Sequence, residues 1–412
     1  MILYRIGLFA YQLLLRLAAP FHRKAKKFLD GRKNVIATLR SAQAEDPRPA
    51  IWIHCASLGE FEQGRPLIEA LHEAYPKYRI VLTFFSPSGY EVRKDYPLAE
   101  LVSYLPMDSS KHAREFVAAV QPRLAIFVKY EFWYFYLREL QGRGIPVLSV
   151  AAIFRKQQFY FRWYGGFGRQ TLRLITHFFV QDTASSERLQ GIGIRAVSVT
   201  GDTRLDRVAR IRESPQSLPE IADFLGNDPA LVVGSAWPTD VNVLKESLNW
   251  LIRQDWKIII APHEIDGATL QNIEGLLPAA STRFSSKTER EAPILIVDTI
   301  GILAHIYAYG TLAYVGGAFG KGLHNTMEAA VHGLPVLFGN RNYQKFREAC
   351  ELITTGGGFA LADRRQALQQ IQELVTDARK RQQAGQQAAD YVLRNRGATD
   401  RILDFCHRWL AT

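Results

Sequence analysis

Cysteine is scarce: Cys55, Cys350 and Cys406 lie far apart in 412 residues and form no CxxC spacing. That argues against a disulfide framework or a zinc site and fits a reducing compartment. No apolar run is long enough to cross a bilayer. The run from Ile6 to Leu15 covers ten residues and Arg16 closes it, whereas a span needs ~20. The chain has no Asp-x-Asp, the nearest approximations being Glu60-Phe-Glu62 and Glu264-Ile-Asp266, which disfavours a metal without excluding it. It has no GxGxxG, which disfavours a nicotinamide dinucleotide. Low-complexity tracts and internal repeats are also missing. With 47% hydrophobic and 22% charged residues the composition is globular, and the length calls for two domains of roughly 200 residues each.

Acid is missing where base is abundant. Of the net charge of +11, residues 1–40 carry +8 and residues 151–181 carry +5 with no acidic residue, while the remaining segments come to −1 each. An anionic surface or a polyphosphorylated ligand is the partner this implies, met by the first half. In the opening segment Arg5, Gln12, Arg16 and Arg23 recur at spacings of seven, four and seven, one narrow polar stripe on an otherwise apolar helix. Pro20 after Ala18-Ala19 suits a secretory cleavage badly. Residues 1–30 therefore read as a helix lying in the membrane interface, followed by the basic cluster Arg23, Lys24, Lys26 and Lys27; a helix packed on its own domain is the alternative.

From residue 51 onward short β-rich runs alternate with helical stretches. Strands are predicted at 51–56, 79–85, 101–105, 124–129, 146–151, 177–181 and 195–200, with helices such as 60–74 and 109–120 between them. The pattern lapses over a polar, Pro-containing stretch and restarts at "ALVVGSAW", "WKIIIAP", "PILIVD", "TLAYVGG" and "LPVLFG". The fold class is α/β: two doubly wound, Rossmann-like domains, 31–205 and 226–395, facing across a cleft. A linker at 206–225 joins them, and a C-terminal helix at 396–412 has the option of crossing back to the first domain. In such sheets ligands bind beyond the carboxyl ends of the strands.

Those ends carry the candidate chemistry. In "IHCASLGEFEQG" (53–64) Glu60 follows a strand and a Ser-x-Gly turn. It is placed either to cap a helix with Ser57 or to stand as a carboxylate at the sheet rim. In the second half, "GGAFGKGLHNTME" (316–328) joins a Gly-rich loop at Gly317, Gly320 and Gly322 to His324-Asn325, expected to open a helix that carries Glu328. The glycines permit close approach, the helix N-terminus would offer N–H groups to a phosphate, and Glu328 would accept from ribose hydroxyls. "GSAWPTD" adds Ser235 and Trp237, and "APHEID" adds His263, each after a strand. The set points to a bound nucleotide.

The ordered set "HCASLGEFEQGRPLIEAL", "VKYEFWYFYL", "VTGDTRLDRV", "GSAWPTD" and "GGAFGKGLHNTMEAAVHGLPVLFG" resembles the Kdo transferases of lipopolysaccharide assembly. These add 3-deoxy-D-manno-oct-2-ulosonic acid (Kdo) from CMP-Kdo to a lipid A precursor. The resemblance implies a GT-B architecture, acceptor on the first domain and nucleotide on the second, in a metal-independent, inverting enzyme without a cofactor. It puts Glu60 at the general base and Glu131 at the family's second acid. Ser235, Trp237, His263, Gly317, Gly320, Gly322, His324, Asn325 and Glu328 fall on the donor side. Ser57, Gly59, Lys129, Arg155, Lys156 and Arg162 fall on the acceptor side, at the cytoplasmic face of the inner membrane. The chain departs from the family pattern where Val-Lys-Tyr stands for Met-Glu-Thr, so that Lys129 takes an acidic position. "AAIFRKQ" leaves Arg155 as the nearest basic equivalent, and "PHE" replaces the more usual "PRH". A UDP-sugar enzyme of the same architecture, transferase or UDP-N-acetylglucosamine 2-epimerase, is the alternative. A non-catalytic nucleic-acid binder is suggested only by the basic charge, with no nucleic-acid motif present.

Overall fold

The structure is a computed structural model that describes residues 1–286, 292–320 and 322–411. The chain divides into two compact units. One holds Met1–Asp206 together with the segment from Gly397 onward, and the other holds Arg207–Arg396.

The first unit is built on seven strands: β1 (Ala50–Cys55), β2 (Arg79–Phe84), β3 (Leu101–Tyr104), β4 (Pro122–Val128), β5 (Val147–Ala152), β6 (His177–Val180) and β7 (Val197–Val199). They pair in parallel in the order β3-β2-β1-β4-β5-β6-β7. Every residue of β1 is buried, as a central strand covered by helices on both faces requires. Alternate side chains enter different cores: Ala50 and Trp52 join one cluster with Ala125 and Phe127, and Ile51 and Ile53 join the other with Leu124 and Ile126. Trp52 packs its ring 4.6 Å from Phe116 and 5.0 Å from Phe127; burying a side chain of this size contributes on the order of 2–3 kcal/mol.

The second unit has β8 (Ala230–Ala236), β9 (Lys257–Pro262), β10 (Ser281–Arg283), β11 (Ile294–Ile296), β12 (Leu312–Val315), β13 (Val336–Gly339) and β14 (Gly358–Leu361). Their order is β10-β11-β9-β8-β12-β13-β14, again all parallel. Each sheet reverses its direction of growth beside its first strand, at β1/β4 and at β8/β12. The loops leaving those strands flank a crevice, which is where a doubly wound sheet binds ligands.

Two of the expected assignments are corrected. The stretch 206–225 is largely helical, with helices Thr203–Glu213 and Pro219–Leu225. Leu205, Val208, Ala209, Ile221 and Phe224 are buried there, and the intervening arginines hid that period. The polar stripe on the first helix stops short of Arg23, because Ile2–Ala18 ends in a turn and Arg23 opens a separate helix, Arg23–Asp30. Lys27, counted in the basic cluster, pairs with Glu91 at 2.5 Å. The C-terminal helix Ala398–Leu410 belongs to the first unit. Ile402, Cys406 and Leu410 enter its core, and Asp206 accepts from Gly397 N, Thr399 N and Thr399 Oγ1 at 2.5, 2.7 and 2.6 Å, capping that helix from across the chain.

Ile2–Ala18 has two apolar sides. Tyr4, Leu8 and Leu15 are half-buried toward the unit; Tyr4 donates to Asp108 Oδ2 at 2.6 Å, and the ring of Tyr11 lies 6.0 Å from that of Phe28. On the other side Ile2, Leu3, Ile6, Phe9, Leu14 and Leu17 are more than half exposed. No helix among the described residues is long and apolar enough to cross a membrane.

Candidate functional site

In the first unit, two loops meet at the β1/β4 switch point. Ser57 and Gly59 lie between β1 and Glu60. Ser57 caps the helix Leu58–Ala74 in a complete capping box, in which Ser57 N donates to Glu60 Oε2 at 3.0 Å. Glu60 is thus a cap and a rim carboxylate at once. Burial, then the nearby charge of Glu131, raise its pKa above the ordinary glutamate value, while Lys129 and His54 pull it down. From β4 come Lys129 and Glu131. Lys129 adopts a left-handed backbone at φ 62°, strain of the kind that collects at functional sites. Glu131 Oε2 accepts from Trp133 Nε1 at 2.8 Å and lies 3.2 Å from His54 Nε2. Beside them Tyr130 has its pKa raised, chiefly by burial, with Arg155 opposing. Arg155, Lys156 and Arg162 are exposed after β5. They share that surface with Trp163, 91% exposed, and Tyr164. β5 itself is bulged between Ser149 and Ala152, with Ala151 at φ 54°.

The second unit repeats the device at β8/β12. β8 is bulged at Ser235, φ 51°. The carboxylate of fully buried Asp240 ties the two loops together: Oδ2 accepts from Trp237 N and Gly317 N, both at 3.0 Å, and Oδ1 from Tyr314 OH at 2.8 Å. A Cβ at Gly316 would come within 2.4 Å of Ser235 O and 2.7 Å of Asp240 Oδ2, so only glycine fits there. Gly317 sits at φ 96°.

Three aromatic rings close one side of this loop. His263 stacks on His324, centroids 4.2 Å apart at 27°, and lies tilted at 30° to Trp237, 4.8 Å away. Trp237 Nε1 donates to His324 Nε2 at 3.3 Å. An indole N–H can only donate, so Nε2 is unprotonated and the proton of His324 resides on Nδ1. Burial, then His263, pull the His324 pKa down to about 4, and the ring is a neutral donor at neutral pH. Asn325 Nδ2 donates to Glu328 Oε1 at 3.1 Å, and Asn325 Oδ1 accepts from Met327 N at 3.2 Å.

One expectation about this loop changes. His324-Asn325 do not open a helix; the helix is the single turn Met327–Ala330, with Asn325 bonded to its first N–H. One turn has almost no macrodipole to offer a phosphate. The glycine N–H groups are bonded within the unit. Gly317 N bonds Asp240, while Gly320 N and Gly322 N bond Gly317 O at 3.0 and 3.1 Å. Their contribution is shape. Among the described residues, no cluster of three or more His, Cys, Asp or Glu is arranged to hold a metal ion.

Sequence reasoning missed His54, Asp240 and Asp202. His54 hides in an apolar strand. Asp240 was signalled only as the acid three residues after Trp237, a capping pattern. Asp202 lies near Lys129: burial would raise its carboxyl, but Arg204 and then Lys129 hold it below the usual range.

Residues 30–207 match the family model described as 3-deoxy-D-manno-octulosonic-acid transferase (kdotransferase). The chain is 26% identical to the 3-deoxy-D-manno-octulosonic acid transferase of Bordetella pertussis over 439 aligned positions, covering 98% of this chain and all of that one. It is also 26% identical to the enzyme of the same name from Chlamydophila psittaci, covering 88% and 86%. Among solved structures, the UDP-GlcNAc 2-epimerase of Neisseria meningitidis superposes with a TM-score of 0.60 at 14% identity over 86% of this chain and 98% of that one. The UDP-GlcNAc 2-epimerase of Methanocaldococcus jannaschii gives 0.54 at 15%, over 86% and 99%. Such identities show the shared two-domain GT-B fold and nothing of activity. Residues 30–207 thus match the family's N-terminal domain, and the chain is similar to the Kdo transferases along most of its length.

Proposed function

We propose that this protein is an inverting, metal-independent glycosyltransferase that moves Kdo from CMP-Kdo to a lipid A precursor such as lipid IVA, with Glu60 as general base. The observation that carries the reading is Glu60 itself: a rim carboxylate at the β1/β4 switch point, its proton affinity raised by burial and by Glu131, in a domain of the Kdo transferase family. Glu60 takes the proton of the acceptor hydroxyl as its oxygen attacks the anomeric carbon. The bond from that carbon to the CMP phosphate breaks, and CMP leaves with the electron pair. In the second unit the neutral His324 donates from Nδ1 to the phosphate. Glu328 accepts from the ribose, and the Trp237–His263–His324 stack bounds the nucleotide. Lys129, Arg155, Lys156 and Arg162 meet the acceptor's phosphates. Incubating the purified protein with CMP-Kdo and lipid IVA should give a product heavier by at least one Kdo residue. No mass gain, or equal binding of UDP and CMP, would refute the reading.

The exposed side of Ile2–Ala18 supports docking at the cytoplasmic face of the inner membrane, with Arg16, Arg23, Lys24 and Lys26 each adding about 1 kcal/mol against anionic lipid. Replacing Ile6, Phe9 and Leu17 by serine should release the protein from anionic liposomes while leaving its melting temperature unchanged, because these side chains point away from the unit. Deleting residues 1–25 should also destabilise the fold by removing Tyr4 from Asp108. Undiminished liposome binding by the triple variant would contradict the docking.

A further inference from the structure

His54 is fully buried in the middle of the first sheet, where an aliphatic residue would pack as well. Burying an imidazole is costly unless both nitrogens are bonded, and here both are. Nδ1 lies 2.9 Å from Thr83 Oγ1 and 3.1 Å from Thr83 O; Trp52 Nε1 in turn donates to Thr83 Oγ1 at 2.8 Å. Nε2 lies 3.2 Å from Glu131 Oε2. In one arrangement the Thr83 hydroxyl donates to Nδ1, and the neutral ring carries its proton on Nε2. In the other Nδ1 donates to the Thr83 carbonyl, and an Nε2 at 3.2 Å from carboxylate lone pairs still needs a proton to bond them. Either way His54 donates to Glu131. Trp133 Nε1 donates to the same oxygen at 2.8 Å, so both donors hold Oε2 and leave Oε1 to turn elsewhere.

We propose that His54 is a positioning residue. A buried relay, Trp52–Thr83–His54, together with the Trp133 indole, clamps one oxygen of Glu131 so that its carboxylate stands fixed beside Glu60 during transfer. The proposal rests on the Kdo transfer reading for its assay. It does not require Glu60 to be the base, because it concerns only how Glu131 is held. A core histidine with satisfied hydrogen bonds and no such role would affect folding alone.

A double-mutant cycle separates the two. His54→Leu should lower kcat roughly 10- to 100-fold, the loss usual for an outer-shell partner, with KM for both substrates changed less than about twofold. His54→Gln, whose amide reaches the Nε2 position, should recover most of the loss. In a Glu131→Gln background His54→Leu should cost nothing further. Should the leucine variant fail to fold, His54→Asn, too short to reach Glu131, takes its place in the cycle. Additive losses, no rescue by glutamine, or an unaffected kcat in Glu131→Gln would each overturn the proposal. A fully active Glu60→Gln would remove the base assignment while leaving the cycle readable.

Discussion

Glu60→Gln is expected to lower kcat for Kdo transfer by roughly 10²- to 10⁴-fold, the usual contribution of a positioned base, equivalent to about 3–5 kcal/mol of barrier. Glutamine is the informative substitution because the proposed reading gives Glu60 two tasks. Its Oε2 accepts from Ser57 N at the start of Leu58–Ala74, and an amide oxygen can keep that bond while being unable to take up a proton. Stability and CMP affinity should therefore stay unchanged. Glu60→Ala should lose the cap as well, about 1 kcal/mol, and a comparison of the two melts separates the tasks. A Glu60→Gln enzyme with near-normal turnover would reduce the residue to a helix cap.

The second large effect is expected at Asp240. Asp240→Ala leaves Tyr314 OH, Trp237 N and Gly317 N without the acceptor they share. Since Asp240 and Tyr314 are fully buried, the cost should be about 3 kcal/mol or more in the second unit. Untying the β8 and β12 loops should also weaken CMP binding roughly tenfold or more. Asp240→Asn should be nearly silent: its oxygen can accept from both backbone N–H groups while its amide donates to the Tyr314 hydroxyl. Calorimetric titration with CMP and a thermal melt on both variants check this. Equal damage from alanine and asparagine would mean that the negative charge, not the hydrogen bonds, holds the loops.

These two sites were unequally legible in the sequence. Glu60 and the Gly-rich loop could be found because β1 and β12 are apolar runs that end in glycine and polar residues, and a parallel sheet puts its ligands at those ends. β10 and β14 were missed for the opposite reason. "STR" is polar and "GFAL" opens on glycine, and each is an edge strand of three or four residues. What pairs across long separations was also hidden. The His54–Glu131 contact spans 77 positions and exists only because β4 lies next to β1. The Asp206–Thr399 contact spans 193 and exists only because the chain returns to the first unit. Helix Thr203–Glu213 was read as linker because four arginines fall among its buried residues. The reading of His324-Asn325 as a helix start was two residues early, because the Asn325 side chain accepts from Met327 N and the helix begins only there.

The pH dependence of kcat in the unsubstituted enzyme and in Glu131→Gln tests the pairing of the two carboxylates most directly. A carboxylate works as a base only when ionised, so on the proposed role of Glu60 kcat should fall as pH drops through its pKa. Burial and the Glu131 charge raise that pKa, so the acid limb should lie above the ordinary glutamate range. Removing the charge at Glu131 should move the limb to lower pH while lowering the plateau. An acid limb at the same pH in both enzymes would contradict the account.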